Sequence, residues 1–262
     1  MKLNSQFLLN FKTVSHRLYG TVTFNPNDIF IGETINKQES WESYFFPLFE
    51  KFCKDKIVLD IGANIGLHTL YLSRIAKKVV AFEPQSACNY ALLCNLRDNN
   101  VNNVQVYNYA LGEKKETKYF PKWAQSNNKC NFGGGSLIPH YHAIGDEGTG
   151  ECKTNSFTEY TGEQVEVITL DELNIQDEIS FIKIDIEGYE SKFLKGAKET
   201  LARNKYPPIL IEIHNDEYAK ETLDILYNMG YNVKSNQSWP TWDKLAVNIL
   251  FRKNEQLLSI LF

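Results

Sequence analysis

The stretch Val58-Leu59-Asp60-Ile61-Gly62-Ala63-Asn64-Ile65-Gly66-Leu67-His68 decides the fold class of this chain. An apolar run ends in a carboxylate, and two glycines and an amphipathic run follow it. This order predicts a strand, a tight turn and the N-terminus of a helix. Because glycines let bare backbone approach a ligand closely, the stretch also predicts a binding site at the end of the first strand.

The glycine spacing argues against a dinucleotide as the ligand of this turn. A G-x-G-x-x-G motif that starts at Gly62 needs glycines at positions 64 and 67, where the chain has Asn64 and Leu67. Asp60 would also repel a pyrophosphate. S-adenosylmethionine fits better, since it has no phosphate and its ammonium and sulfonium groups are cationic.

A second carboxylate supports this cofactor. The run from Val79 to Phe82 predicts the next strand, and Pro84 ends it because proline cannot continue a strand ladder. In a doubly wound sheet, an acidic residue at the end of the second strand hydrogen-bonds ribose hydroxyls, and Glu83 stands there. We therefore predict that the cofactor-binding residues are Asp60, Gly62, Ala63, Asn64, Gly66, Glu83 and Pro84, with Asn108, Tyr109 and Ala110 beside the adenine after strand three.

Composition sets limits on the class of protein. The chain has 262 residues, 43% of them hydrophobic, which is enough for one large α/β domain or two small ones. The formal net charge of -4 disfavours a nucleic-acid partner. Five cysteines without a CxxC pair predict free thiols in a reducing cytosol. The absence of a signal peptide or a run of transmembrane length predicts a cytoplasmic protein without a membrane partner.

Alternating strands and helices organise the chain from residue 55 onward. Strands are predicted at 56–61, 78–83, 103–109, 179–185 and 209–214, with helices between them and a final antiparallel hairpin of 231–235 and 245–252. This pattern predicts one α/β domain over 55–262, with a parallel sheet and one reversed strand.

Two other regions depart from that alternation. Residues 1–54 are expected to form an extension with a hairpin around Asn25–Asp28 and a helix over 38–53. Residues 113–164 are rich in Gly, Asn, Lys and aromatic residues, and a loop of this length inside a domain is usually functional or disordered. We expect this insertion to form part of the acceptor pocket. Nothing in the sequence indicates the oligomeric state.

These motifs make the chain similar to the FkbM family of S-adenosylmethionine-dependent methyltransferases. The runs Lys183–Gly188 and Glu212–His214 are the more specific matches, whereas Val58–His68 is shared by many methyltransferases. The resemblance implies a Rossmann-like class I methyltransferase fold, with a seven-stranded, mostly parallel sheet and a C-terminal antiparallel hairpin. It also implies an enzyme that methylates hydroxyl groups of sugars, glycans or related small molecules.

Methyl transfer to a hydroxyl needs a group that takes the proton. Lys183 and Asp185 are two residues apart in strand four and share a face, as do Glu212 and His214 in strand five. Ligands bind outside the carboxyl ends of such strands. The two pairs are therefore predicted to converge, with Glu187 in the loop after strand four.

His214 is the preferred candidate for the base, since an imidazole can be neutral at physiological pH. Asp185 is the alternative base. Lys183 either takes part in catalysis or forms a structural ion pair with Asp185 or Glu187, because a buried lysine needs an anionic partner. Asp185, Glu187, Glu212 and His214 also suit a hard divalent cation, so a metal remains an open hypothesis.

Two other functions compete with this interpretation. A nucleic-acid ribose methyltransferase is the nearest alternative, because the Lys-x-Asp element is similar to one in ribose methyltransferases. The acidic net charge and the lack of basic stripes in the sequence count against it. A non-catalytic scaffold that retains the fold would bind the cofactor without turnover. Asp60, Glu83, Asp185 and His214 favour an enzyme.

Overall fold

The computed structural model describes residues 11–121, 131–138, 162–214, 218–235 and 246–253. The N-terminal part contains strands β1 (Lys12–His16) and β2 (Gly20–Phe24) and helices α1 (Ile31–Asn36) and α2 (Phe46–Cys53). The hairpin is formed by β1 and β2, so the predicted turn at Asn25–Asp28 was wrong. Asp28 instead accepts backbone N–H groups of Phe30, Ile31 and Gly32 at 2.7–3.2 Å, which fixes the start of α1.

The predicted helix over 38–53 is much shorter in the structure. Helix α2 begins at Phe46, after a short 3-10 turn over Ser43–Phe45. Glu42, just before this turn, has a φ of 44°. A residue in the left-handed region cannot continue a right-handed helix, so the chain bends at this point.

The rest of the described chain alternates strands and helices. In chain order these are β3 (Ile57–Ile61), α3 (Leu67–Ile75), β4 (Lys78–Phe82), α4 (Ser86–Asp98), β5 (Val104–Tyr107), β6 (Ala110–Leu111), β7 (Glu116–Pro121), β8 (Gly162–Ile168), β9 (Ile179–Ile184), α5 (Glu190–Lys195), α6 (Lys198–Arg203), β10 (Ile209–His214), α7 (Ala219–Asn228), β11 (Tyr231–Ser235) and β12 (Ala246–Lys253).

One sheet of seven strands organises the molecule, in the order β11-β12-β10-β9-β3-β4-β5. The five strands from β10 to β5 pair in parallel, and β12 is antiparallel to both β10 and β11. This confirms the predicted α/β fold with a C-terminal antiparallel hairpin. Strand β3 is an apolar run because it is buried in the middle of the sheet, as parallel strands usually are.

Two predictions of local structure need correction. The single helix expected between the strands at 179–185 and 209–214 is two helices, α5 and α6, which separate at Gly196. A Cβ at Gly196 would lie 1.9 Å from the carbonyl oxygen of Gly112, so the chain is pressed against a neighbouring segment there. The insertion is also not all loop, since β7 and β8 pair antiparallel and β6 joins β8 in a three-stranded sheet.

The N-terminal part shares a hydrophobic core with the sheet domain. This core joins side chains of the hairpin and α1 to side chains from the β3–α3 turn, α3, β4 and α4; its buried members include Tyr19, Val22, Phe24, Ile31, Ile35, Ile65, Leu70, Ala81, Leu92 and Leu96. Each large apolar side chain that is fully buried stabilises the fold by about 1.5–3 kcal/mol. The residues that follow β2 are thereby held against the carboxyl end of the sheet. In the described part of the chain, no helix is long and apolar enough to span a membrane.

Candidate active site

A cavity of about 640 Å³ opens at the carboxyl ends of β3, β4, β9 and β10. This volume lies within the roughly 300–1,000 Å³ that small-molecule sites usually have. Its lining includes Trp41, Glu42, Tyr44, Gly62, Ala63, Asn64, His68, Glu83, Pro84, Gln85, Tyr109, Ala110, Phe132, Lys183, Asp185, Glu187 and Glu212. Most of the residues predicted from the sequence therefore face one space.

The turn after β3 is held by backbone contacts. Gly62 and Ala63 both donate their N–H groups to the carbonyl oxygen of Phe82 at 3.0 Å. Gly62 has a φ of 79°, and a Cβ at this position would lie 1.8 Å from the carbonyl oxygen of Asp185. The glycine is therefore required by the close approach of the chain after β9.

Glu83 closes one end of the cavity. Its Oε2 accepts the N–H of Asn64 and its Oε1 accepts the N–H of Gln85, both at 2.8 Å. Burial raises the pKa of Glu83 to about 7, although these two N–H groups act in the opposite direction. We call this region, formed by residues 62–64 and 83–85, the Glu83 end of the cavity.

Asn108, Tyr109 and Ala110 do not share one role in the structure. Tyr109 and Ala110 line the cavity. The Asn108 amide instead donates to the carbonyl oxygens of Glu83 and Pro84 at 2.8 and 3.0 Å. Asn108 therefore supports the turn after β4 from behind.

Asp60 and Gly66 lie outside the cavity lining. Asp60 is fully buried, and its Oδ2 accepts the hydroxyl of Thr69 at 2.6 Å, while its Oδ1 is 3.6 Å from the Lys183 ammonium. Gly66 has a φ of 87° and packs against Leu92. Both residues shape the turn and the start of α3.

The other end of the cavity contains a buried ion-pair cluster around Lys183. Its Nζ is 3.2 Å from Oδ2 of Asp185. Burial works to lower the pKa of Lys183, but the carboxylates of Asp185, Asp60 and Glu42 hold it above the ordinary value. Burial works to raise the pKa of Asp185, but the Lys183 ammonium holds it below the ordinary value. We call this cluster and its neighbours the Lys183 end of the cavity.

Strand β10 adds Glu212 to the Lys183 end. A side-chain hydrogen bond joins Glu212 to Asp185 and helps to keep the pKa of Asp185 low. The structure therefore brings Lys183, Asp185 and Glu212 together. His214 is the last residue of β10 and pairs with Ala246, but its side chain lies outside the described part of the chain.

Sequence reasoning missed Glu42 and His68, which lie close to this cluster. The hydroxyl of Tyr44 donates to Oε1 of Glu42 at 2.9 Å, and Nε2 of His68 is 3.5 Å from Oε2 of Glu42. Burial lowers the pKa of His68 to about 3. His68 could have been noticed because it belongs to the run Val58–His68, whereas no pattern in the sequence marks Glu42.

Part of the insertion covers the cavity. Asn131 accepts the N–H groups of Gly133 and Gly134 at 3.0 Å, which forms a compact turn. The hydroxyl of Ser136 donates to the carbonyl oxygen of Glu187 at 2.6 Å. Residues 131–138 are thus attached to the loop after β9, and a role of the insertion in acceptor binding stays a prediction.

The metal hypothesis is not supported by the described residues. Among them, no group of three or more His, Cys, Asp or Glu side chains is arranged to hold a metal ion. Of the four candidate ligands, Asp185, Glu187 and Glu212 line the cavity. The side chain of the fourth, His214, lies outside the described part.

Comparison with known proteins decides the family. The model of the methyltransferase FkbM domain matches residues 60–233. This chain belongs to the FkbM methyltransferase family. The sequence motifs predicted this family.

Two curated relatives carry related sequences. The AMB antimetabolite synthetase AmbE of Pseudomonas aeruginosa is 27% identical over 210 residues, which are 70% of this chain and 10% of that protein. Methyltransferase 1 of Beauveria bassiana is 25% identical over 149 residues, which are 55% of this chain and 59% of that protein. The chain thus spans less than two thirds of either relative.

Solved structures show only a distant likeness. An rRNA methylase from Streptococcus thermophilus is 14% identical with a TM-score of 0.47. The match covers 81% of this chain and 95% of the chain of that protein. A putative methyltransferase from Streptococcus mutans, in complex with SAH, is 14% identical with a TM-score of 0.45. The match covers 80% of this chain and 94% of the chain of that protein.

Proposed function

We propose that this methyltransferase transfers its methyl group to a hydroxyl of a sugar, a glycan or a related small molecule. The observation that carries the proposal is the Asp185 carboxylate, which lines the cavity beside Lys183. Because Lys183 holds the pKa of Asp185 below its ordinary value, this carboxylate stays ionised at neutral pH. An ionised carboxylate can accept a hydroxyl proton.

The Glu83 end fits S-adenosylmethionine. Glu83 provides a carboxylate at the end of β4, where ribose hydroxyls are bound in doubly wound sheets. Gln85 is 2% exposed, and its Nε2 has no hydrogen-bond partner among the described residues, although the residue lines the cavity. A buried donor of this kind is stabilised by an acceptor atom on a ligand, such as a ring nitrogen of adenine. When bound, the cofactor supplies an electrophilic methyl group.

The Lys183 end supplies the groups for the acceptor. Asp185 would take the hydroxyl proton, with His214 as the second candidate for this role. Lys183 would position Asp185 and keep it ionised. Glu212, joined to Asp185 by a hydrogen bond, would fix the carboxylate in one orientation.

The charge of the cavity favours a neutral or cationic acceptor over a polyanion. Acidic residues outnumber basic ones in the lining, with Glu33, Glu39, Glu42, Glu83, Asp185, Glu187 and Glu212 against Lys37 and Lys183. A phosphate backbone is bound by clustered Lys and Arg side chains. This excess of carboxylates counts against RNA and supports a polyol.

Free thiols support a reducing compartment for this activity. Cys53, Cys88 and Cys94 are buried and unpaired in the described part of the chain. Disulfides are rare in the cytosol and common in oxidising compartments. These thiols support our proposal that the reaction takes place in the cytoplasm.

A labelling experiment tests the acceptor class. The protein is incubated with S-adenosylmethionine that carries a deuterated methyl group and with four separate pools: free sugars, oligosaccharides, sugar nucleotides and total RNA. Mass spectrometry should find the label on a sugar hydroxyl, and Asp185→Asn should abolish it. Label on RNA alone, or on nitrogen, would overturn the proposed acceptor class.

A further inference from the structure

Glu42 stands outside the residues 60–233 that match the family model, yet it faces the cavity. We propose that Glu42 and His68 form an ammonium-binding subsite at the Lys183 end. The ammonium could belong to an amino group of the acceptor or to the amino-acid part of S-adenosylmethionine. If the ammonium belongs to the acceptor, the acceptor is an amino sugar, and this alternative rests on the proposed function. The cofactor alternative does not rest on the proposed acceptor.

A carboxylate oxygen and an imidazole nitrogen face each other in this subsite. Oε1 of Glu42 accepts the Tyr44 hydroxyl at 2.9 Å, and the Trp41 side chain also hydrogen-bonds to this carboxylate. Oε2 of Glu42 lies 3.5 Å from Nε2 of His68. His68 is 5% exposed, and its Nε2 has no hydrogen-bond partner among the described residues. A neutral imidazole with its proton on Nδ1 accepts at Nε2, and an ammonium carries three N–H donors. An ammonium between Glu42 and His68 would satisfy both acceptors.

The local charges favour a cation in the same place. Carboxylates of Asp60, Asp185 and Glu42 surround a single ammonium, that of Lys183. Burial raises the pKa of Glu42 to about 7, the nearby Asp185 adds to the shift, and Lys183 opposes it. His68 stays neutral because burial lowers its pKa to about 3. Buried charges are stable only when they are paired, so a ligand cation would complete this cluster.

Aromatic residues flank the carboxylate. Trp41 and Tyr44 both line the cavity beside Glu42. The backbone of Trp41 is attached to the core, because its backbone N–H donates to the Tyr19 hydroxyl at 3.0 Å and its carbonyl oxygen accepts that hydroxyl at 3.3 Å. The negative face of an aromatic ring attracts an ammonium group through the cation–π interaction. Tyr44 and Trp41 both hydrogen-bond to Glu42 through their side chains, so the segment fixes a carboxylate between two aromatic residues at one wall of the cavity.

Glu50 provides a matched control for Glu42. It belongs to the same N-terminal part, and it too accepts a tyrosine hydroxyl, from Tyr71 at 3.0 Å. Unlike Glu42, it is exposed and lies outside the cavity lining. Glu42→Gln and Glu50→Gln therefore remove the same charge from two similar hydrogen bonds, and only the first change touches the proposed subsite.

Calorimetry with two pairs of probes tests the subsite and separates the two sources of the ammonium. The cofactor arm compares S-adenosylhomocysteine with 5′-methylthioadenosine, which lacks the amino-acid part. The acceptor arm compares 2-, 3-, 4- and 6-amino-deoxyglucose with glucose, in the presence of S-adenosylhomocysteine. Wild type should prefer the amine-bearing probe in one arm, and Glu42→Gln should reduce that preference about tenfold or more. Glu50→Gln should keep it, and His68→Asn should weaken it.

The possible results separate this inference from the proposed function. A preference lost only in the cofactor arm assigns the subsite to the cofactor, and one lost only in the acceptor arm assigns it to an amino sugar. A wild type without preference in either arm, or Glu42→Gln protein that keeps every preference, overturns the subsite. Because binding is measured, these results do not depend on whether a hydroxyl is methylated.

Discussion

The two ends of the cavity are built in different ways. At the Glu83 end, both hydrogen-bond partners of the carboxylate, Asn64 and Gln85, are backbone N–H groups in short turns after neighbouring strands. At the Lys183 end, the charged side chains come from the N-terminal part, from β3, from β9 and the residue that follows it, and from β10. Backbone geometry thus shapes one end, and long-range pairing of side chains shapes the other.

This difference predicts how each end responds to mutation. A turn held by backbone contacts should lose a ligand contact and keep its shape when one side chain is removed. A buried cluster of charges should lose stability when one charge is removed, because the remaining charges stay buried without a partner. The two ends can therefore be distinguished by experiment.

The largest effect is expected for Lys183→Met. The change leaves the carboxylates of Asp60 and Asp185 without their cation, at 3.6 and 3.2 Å respectively. Loss of one partner from a buried ion pair costs roughly 3–5 kcal/mol of unfolding free energy, which urea denaturation would measure. Lys192→Met is the control, because Lys192 is 40% exposed and 3.7 Å from Glu113, and exposed pairs contribute at most about 1 kcal/mol. Equal midpoints for wild type and Lys183→Met would contradict the cluster.

The next effect concerns turnover. Asp185→Asn removes the proposed base and should lower kcat by roughly 10²–10⁴-fold with little change in cofactor affinity. His214→Ala is measured in parallel, and the variant that loses more of its rate identifies the base. Asp224→Asn on the exposed side of α7 should keep the wild-type rate. Wild-type kcat in both Asp185→Asn and His214→Ala would reject proton transfer by either residue.

The pH profile gives a second way to separate these two bases. If Asp185 is the base, the rate should fall only at a pH below the ordinary aspartate pKa, because Lys183 holds the pKa of Asp185 down. If His214 is the base, the rate should fall as the pH drops through about 6.5, the ordinary imidazole pKa. Steady-state kcat between pH 4 and 9 would distinguish the two.

A smaller effect is expected at the other end. Glu83→Ala should weaken S-adenosylmethionine binding by about 1.5–3 kcal/mol, since hydrogen bonds to a charged group have this strength. Calorimetry measures it, with Glu166→Ala on the exposed face of β8 as the control. Equal affinity of Glu83→Ala and wild type would remove Glu83 from the cofactor site.

The smallest effect is a pH dependence of cofactor affinity. Burial raises the pKa of Glu83 to about 7, and a ribose hydroxyl donates more strongly to the ionised carboxylate than to the protonated one. Affinity should therefore fall as the pH is lowered from 8 to 6, by up to about tenfold per pH unit below 7. Glu83→Gln should flatten this dependence, and a wild-type affinity independent of pH would contradict it.

Local patterns in the sequence were sufficient for the sheet and for much of the Glu83 end. The apolar run before Asp60 and the stop at Pro84 reflect strand burial and strand termination, which depend on neighbouring residues only. Strand β10 was predicted with its observed bounds, Ile209–His214. The same local rules failed at Asn25–Asp28, because an aspartate that follows a proline turn fits a helix start as well as a hairpin.

The Lys183 end was less accessible to sequence reasoning. Period-two spacing correctly paired Lys183 with Asp185, but it could not reveal Glu42, whose position depends on how the N-terminal part packs on α3 and α4. The role of Asp60 also depends on packing, because its burial behind Lys183 follows from the register of β3 and β9. Contacts between distant segments have no signature in a single sequence.

Single-turnover methyl transfer, measured against cofactor concentration in Glu83→Ala and Asp185→Asn, tests most directly whether the two ends have separate roles. The acceptor is the one that the labelling experiment identifies. Glu83→Ala should need a higher cofactor concentration for half-saturation and should approach the wild-type rate at saturation. Asp185→Asn should saturate at the wild-type concentration with a rate lower by roughly 10²–10⁴-fold. If both variants changed the same quantity, the division of the cavity into a cofactor end and a chemistry end would be wrong.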